Sequence, residues 1–201
     1  MTEELLKKYS LVSDQVSKEQ VSVILTELEK IVSAGVAGDI VEFGCYVGTT
    51  SIFLQRLLHA LHSDKTLHVY DSFEGLPQKT DNDNSVAGDQ FTAGKLAVSK
   101  KAFIQTFIKA GVAPPIIHKG WFNELSQQDV PRNIAFAFLD GDFYESIKDS
   151  LRLVLPKLSK GATIIVDDYA RESLPGAAKA VHELLPNRSI TVRHNLGIVH
   201  F

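Results

Sequence analysis

Asp39-Ile-Val-Glu-Phe-Gly-Cys-Tyr-Val-Gly48, followed by Ile52, Phe53, Leu57, Leu58 and Leu61 at helical spacing, reads as a buried strand, a glycine turn and a helix. The alternation extends in both directions. Upstream, Ser17-Lys-Glu-Gln20 is a capping-box pattern, and Val21, Ile24, Leu25, Leu28, Ile31 and Val32 follow on one helical face, with Gly35 as the stop. Downstream, Leu67–Asp71 is a second strand, and Phe103, Ile104, Phe107 and Ile108 mark a helix opened near Ser99 and closed at Gly111. Ile116–His118 is a short third strand, Ile134–Leu139 a fully apolar fourth and Ala162–Val166 a fifth, with a helix over Tyr144, Ile147, Leu151 and Val154 between the last two. A helix over 177–185, stopped by Pro186, precedes 190–193 and 197–201, which form a hairpin around His194-Asn-Leu-Gly197. Continuous apolar strands require burial on both faces, so the expected fold is an α/β sheet of about seven strands, mostly parallel with a C-terminal antiparallel hairpin, and helices on both sides.

The chain has 201 residues, which fits one domain (1–201) with a helical N-terminal segment (1–37). Lys plus Arg number 21 against 24 Asp plus Glu, a formal charge of −3 with no basic block, which excludes a nucleic-acid partner as the expectation. The single cysteine, Cys45, forms no internal disulfide and fits a reducing cytoplasm. Met1–Gln20 carries no apolar leader core, and no apolar run approaches the ~18 residues a membrane span needs, so no membrane role is expected. The longest irregular stretch, Glu74–Gly94, is rich in Asp, Asn, Gly and Lys, and reads as a lid that orders on cofactor binding. The apolar face from Val21 to Val32 serves a homodimer as readily as the chain's own core.

In a parallel sheet, ligands bind beyond the carboxyl ends of the strands, and here those ends are acidic. The first strand runs through Glu42 into Gly44-Cys-Tyr-Val-Gly48-Thr49, a turn that leads to a helix N-terminus with free N–H groups. Tyr46 and Thr49 stand where a dinucleotide fingerprint has its second and third glycines, so the turn fits S-adenosylmethionine, which has no pyrophosphate, better than NAD. Asp71 ends the second strand, placed for ribose hydroxyls. Glu42 and Asp71 read equally as capping or surface acids when taken singly. The fourth and fifth strands end in Asp140-Gly-Asp142 and Asp167-Asp168, and adjacent strands would bring Asp140, Asp167 and Asp168 to one point, a site for a hard cation such as Mg²⁺. The plain alternative makes Asp167 or Asp168 a turn cap and leaves Asp142 solvated.

Gly38-Asp-Ile-Val-Glu-Phe-Gly44, Tyr70-Asp-Ser-Phe-Glu-Gly-Leu-Pro77, Lys119-Gly-Trp-Phe122, Leu139-Asp-Gly-Asp-Phe-Tyr-Glu-Ser146 and Val166-Asp-Asp-Tyr169 together resemble the macrocin and mycinamicin O-methyltransferases, over about residues 38 to 185. The resemblance implies a Rossmann-like class I methyltransferase that uses S-adenosylmethionine and a divalent metal, usually Mg²⁺, and methylates a hydroxyl of a sugar or other small natural-product acceptor. It carries Asp140, Asp167 and Asp168 over as metal ligands. Glu42, Gly44, Tyr46, Gly48, Thr49, Asp71, Ser72, Gly120, Trp121 and Asp140 then surround the cofactor. Trp121 and Phe122 also read as core aromatics. Only about 37 residues precede the first motif, fewer than the helical N-terminus that helps shape the acceptor pocket in that family.

Methyl transfer is an in-line displacement, and a base must take the hydroxyl proton. Related catechol-type enzymes place a lysine three residues after the first metal aspartate, where this chain has Phe143, so lysine catalysis there is excluded. Asp140, Asp142 and a loop histidine remain as candidates. His194, in the hairpin turn, is expected at the pocket rim, His118 is read as structural, and His59, His62 and His68 as solvated. Two other readings stand beside the enzyme: a non-catalytic S-adenosylmethionine-binding scaffold, and an NAD-linked oxidoreductase.

Overall fold

The computed structural model describes all 201 residues, Met1–Phe201. Seven strands form one sheet: β1 (Asp39–Phe43), β2 (Leu67–Asp71), β3 (Ile116–Lys119), β4 (Ile134–Leu139), β5 (Leu158–Val166), β6 (Thr191–Arg193) and β7 (Leu196–His200). Their order is β3-β2-β1-β4-β5-β7-β6. All pairings are parallel except those of β7, which runs antiparallel to both β5 and β6. The strand order thus reverses between the parallel neighbours β1 and β4, where an open α/β sheet forms its ligand crevice.

Six helices accompany the sheet: α1 (Thr2–Lys8), α2 (Lys18–Ser33), α3 (Thr49–Ala60), α4 (Lys100–Ala110), α5 (Tyr144–Val154) and α6 (Pro175–Leu184). The capping box opens α2 as the sequence predicts: the Ser17 side chain accepts from the Gln20 N–H, and the Gln20 side chain accepts from the Ser17 N–H. Val21, Ile24, Leu25, Leu28 and Ile31 are buried with residues of α3 and one sheet face, so this face is consumed by the chain's own core. A second apolar cluster, with Ile147, Leu151, Val154, Ala177 and Val181, covers the other face through α5 and α6. β4 is buried along its whole length, as its uninterrupted apolar run requires.

Differences from the expected elements are local. α1 is a separate N-terminal helix ahead of the capping box, and β5 begins four residues before Ala162, at Leu158. His68 is not solvated: its ring lies against His118, Nδ1 to Nε2 3.1 Å, and His118 stacks on Tyr70 with centroids 4.4 Å apart. No helix is long and apolar enough to cross a membrane.

Candidate active site

The sheet aligns its strand ends because the parallel ladders run one residue beyond the strands. The Gly44 N–H donates to the Tyr70 carbonyl, Asp140 to Phe43 and Asp167 to Leu139. Each first loop residue is thereby held level with its neighbours. A cleft of about 420 Å³ opens over this edge, lined from one side by Gly44, Cys45, Tyr46, Asp71, Ser72 and Trp121, and from the other by Asp140, Asp142, Asp167, Asp168 and Arg171.

On the first side Asp71 organises the glycine turn. One of its oxygens accepts from the N–H groups of Cys45 (2.8 Å) and Tyr46 (3.3 Å), the other from that of Phe73 (2.7 Å). A carboxylate oxygen accepts about two hydrogen bonds, so the oxygen facing Phe73 keeps a free lone pair. Gly44, at φ +86°, lies so close to β4 that an added Cβ would stand 2.0 Å from the Asp140 carbonyl oxygen. Trp121 and Phe122 both line the cleft, and Phe122 also packs on the core, edge-on against buried Phe43.

Several sequence-nominated residues lie behind this wall and do not line the cleft. Gly48 abuts the Phe103 ring of α4, the Thr49 hydroxyl meets that of Ser13 at 2.9 Å, and Gly120 bonds the Asp71 carbonyl through its N–H. Glu42 is buried beneath the turn, and burial pushes its carboxyl up to about 8; the nearby Ser51 hydroxyl opposes the rise and Asp71 adds to it. His194 is exposed in the β6–β7 turn, on the ligand edge of the sheet as expected, but it does not line the cleft.

On the second side, oxygens of Asp140, Asp167 and Asp168 lie within 4.8 Å of one another. Their positions follow from the pairing of β4 with β5 and from Asp168 at φ +54°, which turns the tandem acids toward one point. The Asp167 Oδ1 accepts from the Asp168 N–H (2.9 Å) and from Gln20 Nε2 (3.0 Å), and Asp168 Oδ1 accepts from Arg171 Nη1 (3.0 Å). Each tandem acid therefore keeps its second oxygen free. Burial raises Asp140 well above the usual carboxylate range, and the charges of Asp167, Asp142 and Asp168 raise it further. Asp142, at φ +59°, is raised by burial and then by Asp168 and Asp167. Asp167 is raised by burial and by Asp168, and Asp168 by burial against the opposing Arg171. Three converging oxygen donors short of positive charge fit a hard divalent cation; no sulfur or imidazole is in the set.

Gln20 and Arg171 were not nominated from the sequence. Gln20 was visible only as a helix cap, and Arg171 follows Asp168 at a spacing that signals nothing until the turn is folded.

The seven-strand order and the glycine turn after β1 are those of the Rossmann-like methyltransferase fold. The chain belongs to the macrocin-O-methyltransferase (TylF) family, whose profile matches residues 9–195. It is 34% identical over 163 residues, 78% of this chain and 61% of the relative, to the 8-demethyl-8-(2,3-dimethoxy-alpha-L-rhamnosyl)-tetracenomycin-C 4'-O-methyltransferase of Streptomyces olivaceus. It is 31% identical over 172 residues, 82% of this chain and 66% of the relative, to the mycinamicin III 3''-O-methyltransferase of Micromonospora griseorubida. The chain thus spans under two thirds of the length of these curated relatives. Among solved structures it is similar to the O-methyltransferase NovP, with TM-score 0.80, 26% identity, and coverage of 92% of this chain and 80% of that one.

Proposed function

We propose that this protein is an O-methyltransferase that moves a methyl group from S-adenosylmethionine to a hydroxyl of a small, sugar-bearing or natural-product acceptor, with a divalent cation, Mg²⁺ by its ligand set, held by Asp140, Asp167 and Asp168. The observation that carries the reading is the acid triplet at the same strand edge as the Asp71-stapled glycine turn, across one cleft. One relative is named as a 4'-O-methyltransferase of a rhamnosyl tetracenomycin and another as a 3''-O-methyltransferase of mycinamicin III, which agrees with it. The lone buried thiol, Cys45, accords with a reducing cytoplasm.

The donor's adenosine end is assigned to the Gly44–Tyr46 turn, Asp71, Ser72 and Trp121, with the free Asp71 lone pair accepting from a ribose hydroxyl. Asp140, Asp167 and Asp168 would hold the cation, which when bound would supply Lewis acidity toward an acceptor hydroxyl. Asp140 and Asp142 line the cleft beside the assigned cation position and are the groups assigned to take the hydroxyl proton. Phe91, Leu96 and Gln15 line the same cleft and are assigned to the acceptor.

Incubating the protein and Mg²⁺ with methyl-labelled S-adenosylmethionine and a panel of deoxysugar glycosides, polyols and catechols tests this. The expected result is label in at least one acceptor as a methyl ether. Binding of S-adenosylmethionine with no transfer to any acceptor would instead indicate a scaffold, and binding of NADH in its place an oxidoreductase.

A further inference from the structure

The entry of α2 reaches the acid triplet through one side chain, Gln20. Gln20 is the third residue of the helix, and its Oε1 accepts from both the N–H and the hydroxyl of Ser17, each at 3.0 Å. Those two bonds fix which end of the amide points where, because a flipped amide would set NH₂ against two donors. Its Nε2 therefore faces Asp167, 147 positions away in sequence, and donates to Oδ1 at 3.0 Å. The same oxygen accepts the Asp168 N–H at 2.9 Å, so both lone pairs of Oδ1 are used and only Oδ2 is left for a cation.

We infer that Gln20 is a positioning residue for the cation site: the capping box of α2 locks its amide so that it fixes the orientation of Asp167. This rests on the cation reading proposed above. A helix cap that doubles as the outer partner of a ligand ties metal affinity to the N-terminal segment, which the sheet edge alone does not do. Outer partners of this kind typically contribute about 10- to 100-fold in metal affinity.

The test is direct titration of the full chain with Mn²⁺, followed by its electron paramagnetic signal without substrate, together with thermal melting. Gln20→Met keeps the side-chain length and a good helix former but donates nothing; Ser17→Ala weakens the cap and leaves the Gln20 amide. The inference predicts Mn²⁺ affinity reduced by about 10- to 100-fold in Gln20→Met and by a smaller factor in Ser17→Ala, where the Ser17 N–H still holds the amide without the hydroxyl, though both melt lower. Parent-like Mn²⁺ affinity in Gln20→Met, or equal losses in the two variants, would overturn it, the second because the cap alone would then account for the effect. Absence of Mn²⁺ binding by the parent would remove the cation reading itself and the inference with it, an outcome distinct from the other two.

Discussion

Glu42 sits 1% exposed under the glycine turn with one carboxylate oxygen unpartnered, a costly arrangement for a charge and a tolerable one for a neutral acid. Its folded pKa of about 8 lies above the ordinary 4.5. Stability from this group is therefore fully present below about 4.5 and is lost as pH rises toward about 8, at roughly 1.4 kcal/mol per pH unit inside that window. Glu42→Gln removes the titration. Its urea midpoint relative to the parent should rise between pH 5 and pH 8; parallel midpoints would show that Glu42 ionises normally. Gly44 is constrained by space: a Cβ 2.0 Å from a backbone oxygen, at φ +86°, cannot be accommodated without moving β1 from β4. Gly44→Ala should lose S-adenosylmethionine binding, read by calorimetry, and about 3 kcal/mol or more of stability. The sequence placed Gly44 in the turn and Glu42 in the strand before it, the family resemblance implied both around the cofactor, and the cleft lining includes Gly44 and not Glu42. Which way a strand-end carboxylate points depends on the pleat and on what packs behind it, here Ser51 of α3, and neither is written in the motif.

The segment from Glu74 to Gly94 shows the same limit for an element. Its composition marks a long loop, yet it is docked: Leu76 pairs with Lys95 and Gly94 through backbone bonds, and two short 3-10 turns cover Asp81–Asp83 and Val86–Gly88. Asp83, 1% exposed, holds it to the body. Its carboxylate accepts from the Thr80 N–H and hydroxyl within the loop, both at 2.9 Å, and from the Tyr144 N–H at the start of α5, at 2.7 Å. It thus caps a helix to which it is remote in sequence, where its charge also meets the positive end of the helix dipole. Arg171 adds a second tie, its guanidinium 5.3 Å from the Phe91 ring while it bonds Asp168. Asp83→Ala should cost about 1 to 3 kcal/mol and expose the loop to limited proteolysis ahead of the core; an unchanged cleavage pattern would mean that other contacts anchor it. Cap residues that act across the fold have no local sequence signature, which is why Asp83 passed as one more loop acid.

Across the whole molecule, the strands and the acids that end them were legible because parallel strands in this sheet are continuous apolar runs and their acids follow immediately, whereas the strand order and the β4–β5 adjacency come from the pairing itself. Residue roles behind the edge were not legible, because Gln20, Asp83 and Arg171 act through contacts made only after the layers assemble. The assembled cleft has a marked charge balance: nine of its lining residues are Asp or Glu and one, Arg171, is basic. Such a field favours the positively charged sulfonium donor over its neutral product, and neutral or cationic acceptors over anionic ones. A deoxysugar linked to an uncharged aglycone or an amino sugar should accordingly be methylated with higher kcat/KM than the same sugar carried on a nucleoside diphosphate, by about tenfold or more at low salt. Equal values would show that the acids are neutralised in the working enzyme. The account depends most on the triplet of Asp140, Asp167 and Asp168, and the most direct measurement is methyl transfer to the best acceptor with Mg²⁺, with EDTA, and with EDTA followed by excess Mg²⁺. It predicts turnover lost with the chelator and restored by the ion, and no restoration in Asp140→Asn. Turnover that is indifferent to EDTA, or an Asp140→Asn variant as active as the parent, would contradict it.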